Sequence, residues 1–149
     1  MNKIFKIILI IFITSFLSLK IVNASEDKIK IGLLVPITGE NKNLGDLIIK
    51  STRMALEDIN NDKIEIYPKD TGSNPEQTLQ SAIQLKNLGI KIIIGPIFYK
   101  SLNNLNNVKD VLFLSLTNKT EDLPNNVISS GVNATSQLNT IKKFLELND

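Results

Sequence analysis

Short apolar runs separated by longer stretches of helical periodicity constrain this chain more than any other feature. Lys28 to Val35 (KIKIGLLV) closes at Pro36 and turns apolar on both faces towards its end, the pattern of a central parallel strand. From Leu44 the period changes. Leu44, Leu47, Ile48, Ala55 and Ile59 recur at helical spacing, with Ser51 and Thr52 as small members of the stripe, until NND stops the helix near Asn60. Lys63 to Tyr67 (KIEIY) alternates as a second strand. Asn74 then suits a cap, Pro75 the first helical position and Glu76 the positive helix end, with Leu79, Ala82 and Ile83 on the apolar face and Gly89 as the stop. Lys91 to Ile94 (KIII) and Val111 to Leu116 (VLFLSL) read as third and fourth strands, with a short polar helix over 101–107 between them. Val127 to Ser130 is a fifth strand, and Thr135 to Leu147 a last helix with Leu138, Ile141, Phe144 and Leu145 on one face. Strands alternating with helices specify an α/β fold with a parallel sheet. Right-handed crossovers put helices on both faces, giving a doubly wound α/β/α sandwich.

The first 24 residues are expected to stand apart from that domain. Lys3 and Lys6 precede an apolar and hydroxyl run from Ile7 to Leu19, and Val22-Asn23-Ala24 offers small residues for cleavage after Ala24. This is the layout of a secretory signal peptide, and the run is shorter than the roughly 20 apolar residues that span a bilayer. Removing residues 1–24 leaves 14 basic against 15 acidic residues, so the net charge moves from +2 to −1. A domain so near neutrality offers no electrostatic ground for a nucleic-acid or anionic-membrane partner. The membrane is expected to matter only through the signal peptide. The domain, 25–149, holds only about five strands and ends directly after an amphipathic helix, which suggests the N-terminal portion of a longer protein.

The 149 residues include no Cys and no His. Disulfides, zinc sites built from those ligands, Cys-His nucleophiles and Ser-His-Asp triads are therefore excluded, and no cofactor or metal is expected. Open parallel sheets bind ligands at the carboxyl ends of their strands. Those ends are Thr38-Gly39, Asp70-Thr71-Gly72, Phe98 to Ser101 and Thr117-Asn118, all rich in hydroxyl, amide and glycine groups that suit a small polar solute. Loops are also polar for solubility alone. Asp70 invites a dinucleotide reading, but Gly39 and Gly45 are too far apart for G-x-G-x-x-G, and no P-loop motif occurs. At Gly95-Pro96, glycine permits close backbone approach and proline fixes the turn. Phe98 and Tyr99 follow in a chain with only 5 % aromatics, which favours a cleft lining over chance.

The ordered series IKIGLLVPITGENKNLG, ALEDIN, KDTGSNPEQTLQSAIQL, GIKIIIGPI, VLFLSLTN and VISSGVNATSQ resembles the type 1 periplasmic binding protein fold. The resemblance runs from Lys28 to about Leu147. It is to leucine-binding-type solute receptors of ABC transporters and to the penicillin-binding-protein activators that share their fold. It implies a two-lobed clamshell of which this chain supplies most of lobe one. It also implies ligand contacts on the loops after strands three and four, carried over by position onto Tyr99, Ser101, Thr117 and Lys119, with Thr38, Asp70 and Asn118 completing the candidate rim. Tyr99 and Lys119 depart from the small hydroxyl or alanine residues usual there. The expected function is a periplasmic, non-enzymatic receptor for amino acids or similar solutes, partnered by an ABC permease. The alternative is an activator-like regulator partnered by a peptidoglycan synthase, against which stands the lack of a cysteine for lipidation. A hydrolase using Asp70 and Tyr99 is the enzymatic alternative.

Overall fold

A computed structural model describes residues 28–147. The signal peptide expected over residues 1–24 lies outside the described residues. Five strands form one sheet: β1 (Ile29–Val35), β2 (Ile64–Asp70), β3 (Ile92–Ile94), β4 (Leu112–Ser115) and β5 (Val127–Ser129). Their spatial order is β2-β1-β3-β4-β5, and every pairing is parallel. Among the described residues three α-helices accompany them: α1 (Lys42–Ile59), α2 (Pro75–Asn87) and α3 (Ala134–Glu146). The polar helix expected over 101–107 is instead two 3-10 turns, Tyr99–Leu102 and Leu105–Asn107, whose leucines Leu102 and Leu105 plug into the core. Asn103, Asn104, Asn106 and Asn107 around those anchors favour turns over a continuous helix.

Register sorts the side chains onto two faces. Gly32, Ile93, Phe113 and Val127 are in register across four strands, and Leu34 shares their face by the two-residue alternation. There Leu34, Ile93 and Phe113 join Ala82 and Leu85 of α2 and Leu105 in one buried cluster. α2 is well terminated for this job. Asn74 Oδ1 accepts from the amides of Glu76 (2.8 Å) and Gln77 (3.1 Å), and Pro75 occupies the first turn. At its other end Ile90 N donates to Leu85 O and Gly89 N to Lys86 O, the paired bonds of a Schellman stop.

The opposite face is covered unevenly. Over β1 and β2, α1 brings Ile49, Thr52 and Leu56 towards Leu33 and Ile66, leaving a gap of about 240 Å³ among them. Over β3 to β5, Ile92, Leu112 and Ile128 remain exposed. β2 is one of the two edge strands, so Pro68 is tolerated within it and the strand runs three residues past Tyr67 to Asp70. α3 carries a capping box, in which Asn133 Oδ1 accepts from Ser136 N and Ser136 Oγ from Asn133 N. It buries none of its side chains; Leu138 is 65 % and Ile141 56 % exposed.

Candidate functional site

All strands being parallel, their carboxyl ends share one rim of the sheet. The chain leaves β1 for β2 on one side and later returns to β3 on the other, so strand order reverses between β1 and β3. Loops leaving these neighbours diverge, which opens a crevice at the carboxyl end. Gly95 makes the close junction possible. It adopts φ +100°, and a Cβ there would lie 2.3 Å from the Leu34 carbonyl oxygen, so only glycine lets the exit of β3 run this near β1.

A cavity of about 280 Å³ occupies this crevice. Asn41 from the β1 side and Ser73 and Pro75 from the β2 side line it on one flank; Phe98, Tyr99 and Ser101 line it on the other, with Lys100 between. Asn41 Nδ2 donates to Ser73 Oγ at 3.0 Å, joining the first two loops across the opening. Tyr99 is 53 % exposed, whereas Ser101 is buried, its hydroxyl accepting from Thr78 Oγ1 at 3.3 Å.

Asp70 is the last residue of β2 and acts as the hub of the neighbouring loops. Oδ1 accepts from the amides of Ile37 (2.8 Å), Thr38 (3.1 Å) and Gly72 (2.8 Å). Oδ2 accepts from the Thr38 hydroxyl and from Gln77 Nε2 (3.1 Å). Burial by itself would raise the carboxyl pKa. The hydrogen bonds from the Thr38 hydroxyl and from the Gly72, Thr38 and Ile37 amides outweigh it and lower the pKa from 3.8 to about 2. This carboxylate is ionised and its acceptor capacity is taken up within the protein.

The remaining candidates lie further along the rim. Thr117 is buried; its amide donates to Ser115 Oγ, and its own Oγ1 accepts from Lys119 N, both at 3.3 Å. Its carbonyl receives Gly131 N at 3.1 Å and Ser129 Oγ at 2.7 Å. Asn118 is exposed and Lys119 half-buried. The structure thus joins Thr38 to Asp70 directly and sets Tyr99 and Ser101 in one crevice. Thr117 to Lys119 form a separate turn that does not line it. Asn41 and Ser73 are lining residues that the sequence did not distinguish from other loop residues, Pro75 was expected only as the first residue of a helix, and Lys100 lies within the rim loop expected over Phe98 to Ser101. Only the Asn41–Ser73 bond, formed across 32 positions, brings the first pair together. Among the described residues no group of three or more His, Cys, Asp or Glu is placed to hold a metal ion. No helix among them is long and apolar enough to cross a membrane.

Comparison with known proteins yields a match to the family model of periplasmic binding proteins over residues 28–146. Among solved structures, a solute-binding protein of an ABC transporter from Rhodopseudomonas palustris BisB5, in complex with 3,4-dihydroxybenzoic acid, is similar at TM-score 0.57 and 23 % identity. The match covers 61 % of this chain and 27 % of that one. The C-domain of LpoA from Haemophilus influenzae, a regulator of PBP1A, is similar at TM-score 0.56 and 27 % identity, over 69 % of this chain and 32 % of that one. The leucine-binding protein LivK from Thermotoga maritima MSB8 is similar at TM-score 0.58 and 17 % identity, over 66 % and 31 %. This chain therefore spans under a third of the length of each of these solved chains. No curated protein gives a significant match.

Proposed function

Because the chain belongs to the periplasmic binding protein family, we propose that it is lobe one of an exported, leucine-binding-type receptor that passes a small polar solute to an ABC permease. The crevice at the β1/β3 reversal is the observation that carries this reading. Its volume of about 280 Å³ approaches the roughly 300–1,000 Å³ of small-molecule sites, and a lobe supplies only part of such a site. In this reading residues 25–149 form the first lobe, and a second closes over the crevice about a hinge. Asp70 with Thr38 holds the loop shape, Tyr99 and Ser101 meet the solute, and Thr117, Asn118 and Lys119 meet it or the closing lobe. No covalent bond is made or broken. A signal peptide over residues 1–24, cleaved after Ala24, delivers the protein to the periplasm.

A second reading, regulation of a peptidoglycan synthase, is favoured by the 27 % identity to the LpoA C-domain. There the rim docks a protein. Calorimetry on the full natural polypeptide with a panel of amino acids and small organic acids, run beside a pull-down with a synthase ectodomain, separates the two. The receptor reading expects saturable binding of at least one solute. Silence across the panel together with capture of the synthase would replace it by the regulator.

A further inference from the structure

We propose that the slot beneath α1 is a binding site for a single-chain anionic amphiphile, its alkyl tail lying between the helix and the sheet and its head group held at Arg53. The slot shares no lining residue with the strand-end crevice, so the proposal stands apart from the receptor reading. It follows from how loosely α1 is seated. Over 18 residues this helix buries only Gly45, whereas α2 buries Thr78, Ser81, Ala82 and Leu85 over 13. Ile49, Thr52, Leu56 and Ile59 share one helix face by their spacing. Below them the sheet offers the register pairs Ile31–Ile66 and Leu33–Pro68.

The gap of about 240 Å³ under the helix is continued by another of about 130 Å³, and Thr52, Leu56 and Ile66 line both. The remaining walls of the smaller gap are isoleucines and Ala55. An apolar cavity of about 150 Å³ stays dry and takes up benzene. At roughly 30 Å³ for a water-sized group, the larger gap holds about eight methylenes. The two follow α1 from Ile49 to Ile59, about 15 Å at the helical rise, so the space is long and narrow. Thr52 does not break the apolar character, because its hydroxyl donates to Ile48 O at 2.8 Å and is already engaged. An alkyl chain there supplies the dispersion contacts that a void denies its lining.

Arg53 gives the slot its charge. It lines the larger gap, its side chain is exposed, and it is the only arginine of the chain. Among the described residues no carboxylate forms an ion pair with it, Glu57 one turn further on included. No acidic residue lines either gap. An unpaired guanidinium beside an apolar slot presents a planar fork of donors to an oxyanion head. Tail and head of the amphiphile are thus each matched by a neighbouring surface.

The test is calorimetry on the full natural polypeptide with octyl sulfate, 1-octanol and butyl sulfate, all below micelle-forming concentrations. Octyl sulfate is expected to bind at one site, with octanol about fivefold or more weaker for want of the charged head. Butyl sulfate is expected to be weaker by about a hundredfold or more, at about fourfold for each methylene removed. Arg53→Gln should bring octyl sulfate down to the level of octanol and leave octanol unchanged, with the melting temperature unaffected because the side chain is exposed. Thr52→Leu, which fills the slot, should abolish both, and Tyr99→Ala in the crevice should change neither. Equal affinities for octyl sulfate and octanol, or wild-type affinity for octyl sulfate in Arg53→Gln, would overturn the proposal. So would octyl sulfate binding that is lost in Tyr99→Ala, or that is absent from the wild type.

Discussion

The Asp70 carboxylate grips Thr38 twice, taking a hydrogen bond from its amide and another from its hydroxyl. Together with the Ile37 and Gly72 amides, this ties the loop leaving β1 to the end of β2. Asp70→Asn replaces one acceptor oxygen by a donor that faces other donors. It should destabilise the lobe by about 1–3 kcal/mol, seen as a fall of about 5–15 °C in melting temperature. Retention of the wild-type melting temperature would refute the hub role.

The same group sets an acid limit. Its pKa is lower folded, about 2, than its ordinary 3.8, so the unfolded chain takes up the proton first as pH falls. The stabilisation it contributes is complete above about pH 4 and is lost as pH drops through 2. Acid titration followed by circular dichroism should therefore show the gap between wild type and Asp70→Asn closing across that window and constant above it.

Gly45, in the first turn of α1, sits against the Pro36 carbonyl, and a Cβ there would lie 1.9 Å from that oxygen. Backbone cannot yield as a flexible side chain would. Gly45→Ala should push α1 off the end of β1 at a cost of about 3 kcal/mol or more, giving little folded protein by circular dichroism. An alanine variant with native melting behaviour would place α1 elsewhere.

Asn74 caps α2 through two amides. Asn74→Ala should cost about 1 kcal/mol, and Asn74→Asp should restore it, since the carboxylate accepts the same bonds. Thermal melts of the three proteins check this ranking.

The core and α3 should respond in opposite ways. Phe113 is fully buried, and Phe113→Ala should cost about 3–5 kcal/mol. Leu138→Ser with Ile141→Ser, on a helix that buries nothing, should change the stability of residues 28–133 by no more than about 0.5 kcal/mol while reducing dye binding to exposed apolar surface. A large destabilisation by the serine pair would mean that α3 packs on the sheet.

The elements with strong periodicity were legible within a residue or two: the expected strand over 28–35 is Ile29–Val35, and the helix expected from Asn74 and Pro75 spans Pro75–Asn87. β2 ran past its expected end because Pro68, which reads as a stop, is harmless on an edge strand. That shift moved Asp70 from loop to strand end. The segment 101–107 reads as one short helix, because the three-residue spacing of Leu102, Leu105 and Val108 does not separate a continuous helix from two 3-10 turns. The rim was legible as a set of loops, since strand ends follow from strands. Which loops meet was not legible, because the Asn41–Ser73 bond and the Thr38–Asp70 pair depend on strand order, a property of long-range pairing absent from any local window. Asp70 shows the same limit at one residue: its type marks it as an available acid, and only its five donors show that it is already engaged.

The turn at Thr117 receives Gly131 N and Ser129 Oγ on its carbonyl, two residues before the helix cap at Asn133. Those bonds hold the chain that leads into α3 against the rim. The helix is about 20 Å long and follows closely on the strand end that packs against the turn presenting Asn118 and Lys119. The start of α3 is thus fixed by the same backbone that shapes the rim, while its apolar face, Leu138 and Ile141 included, stands clear of the core.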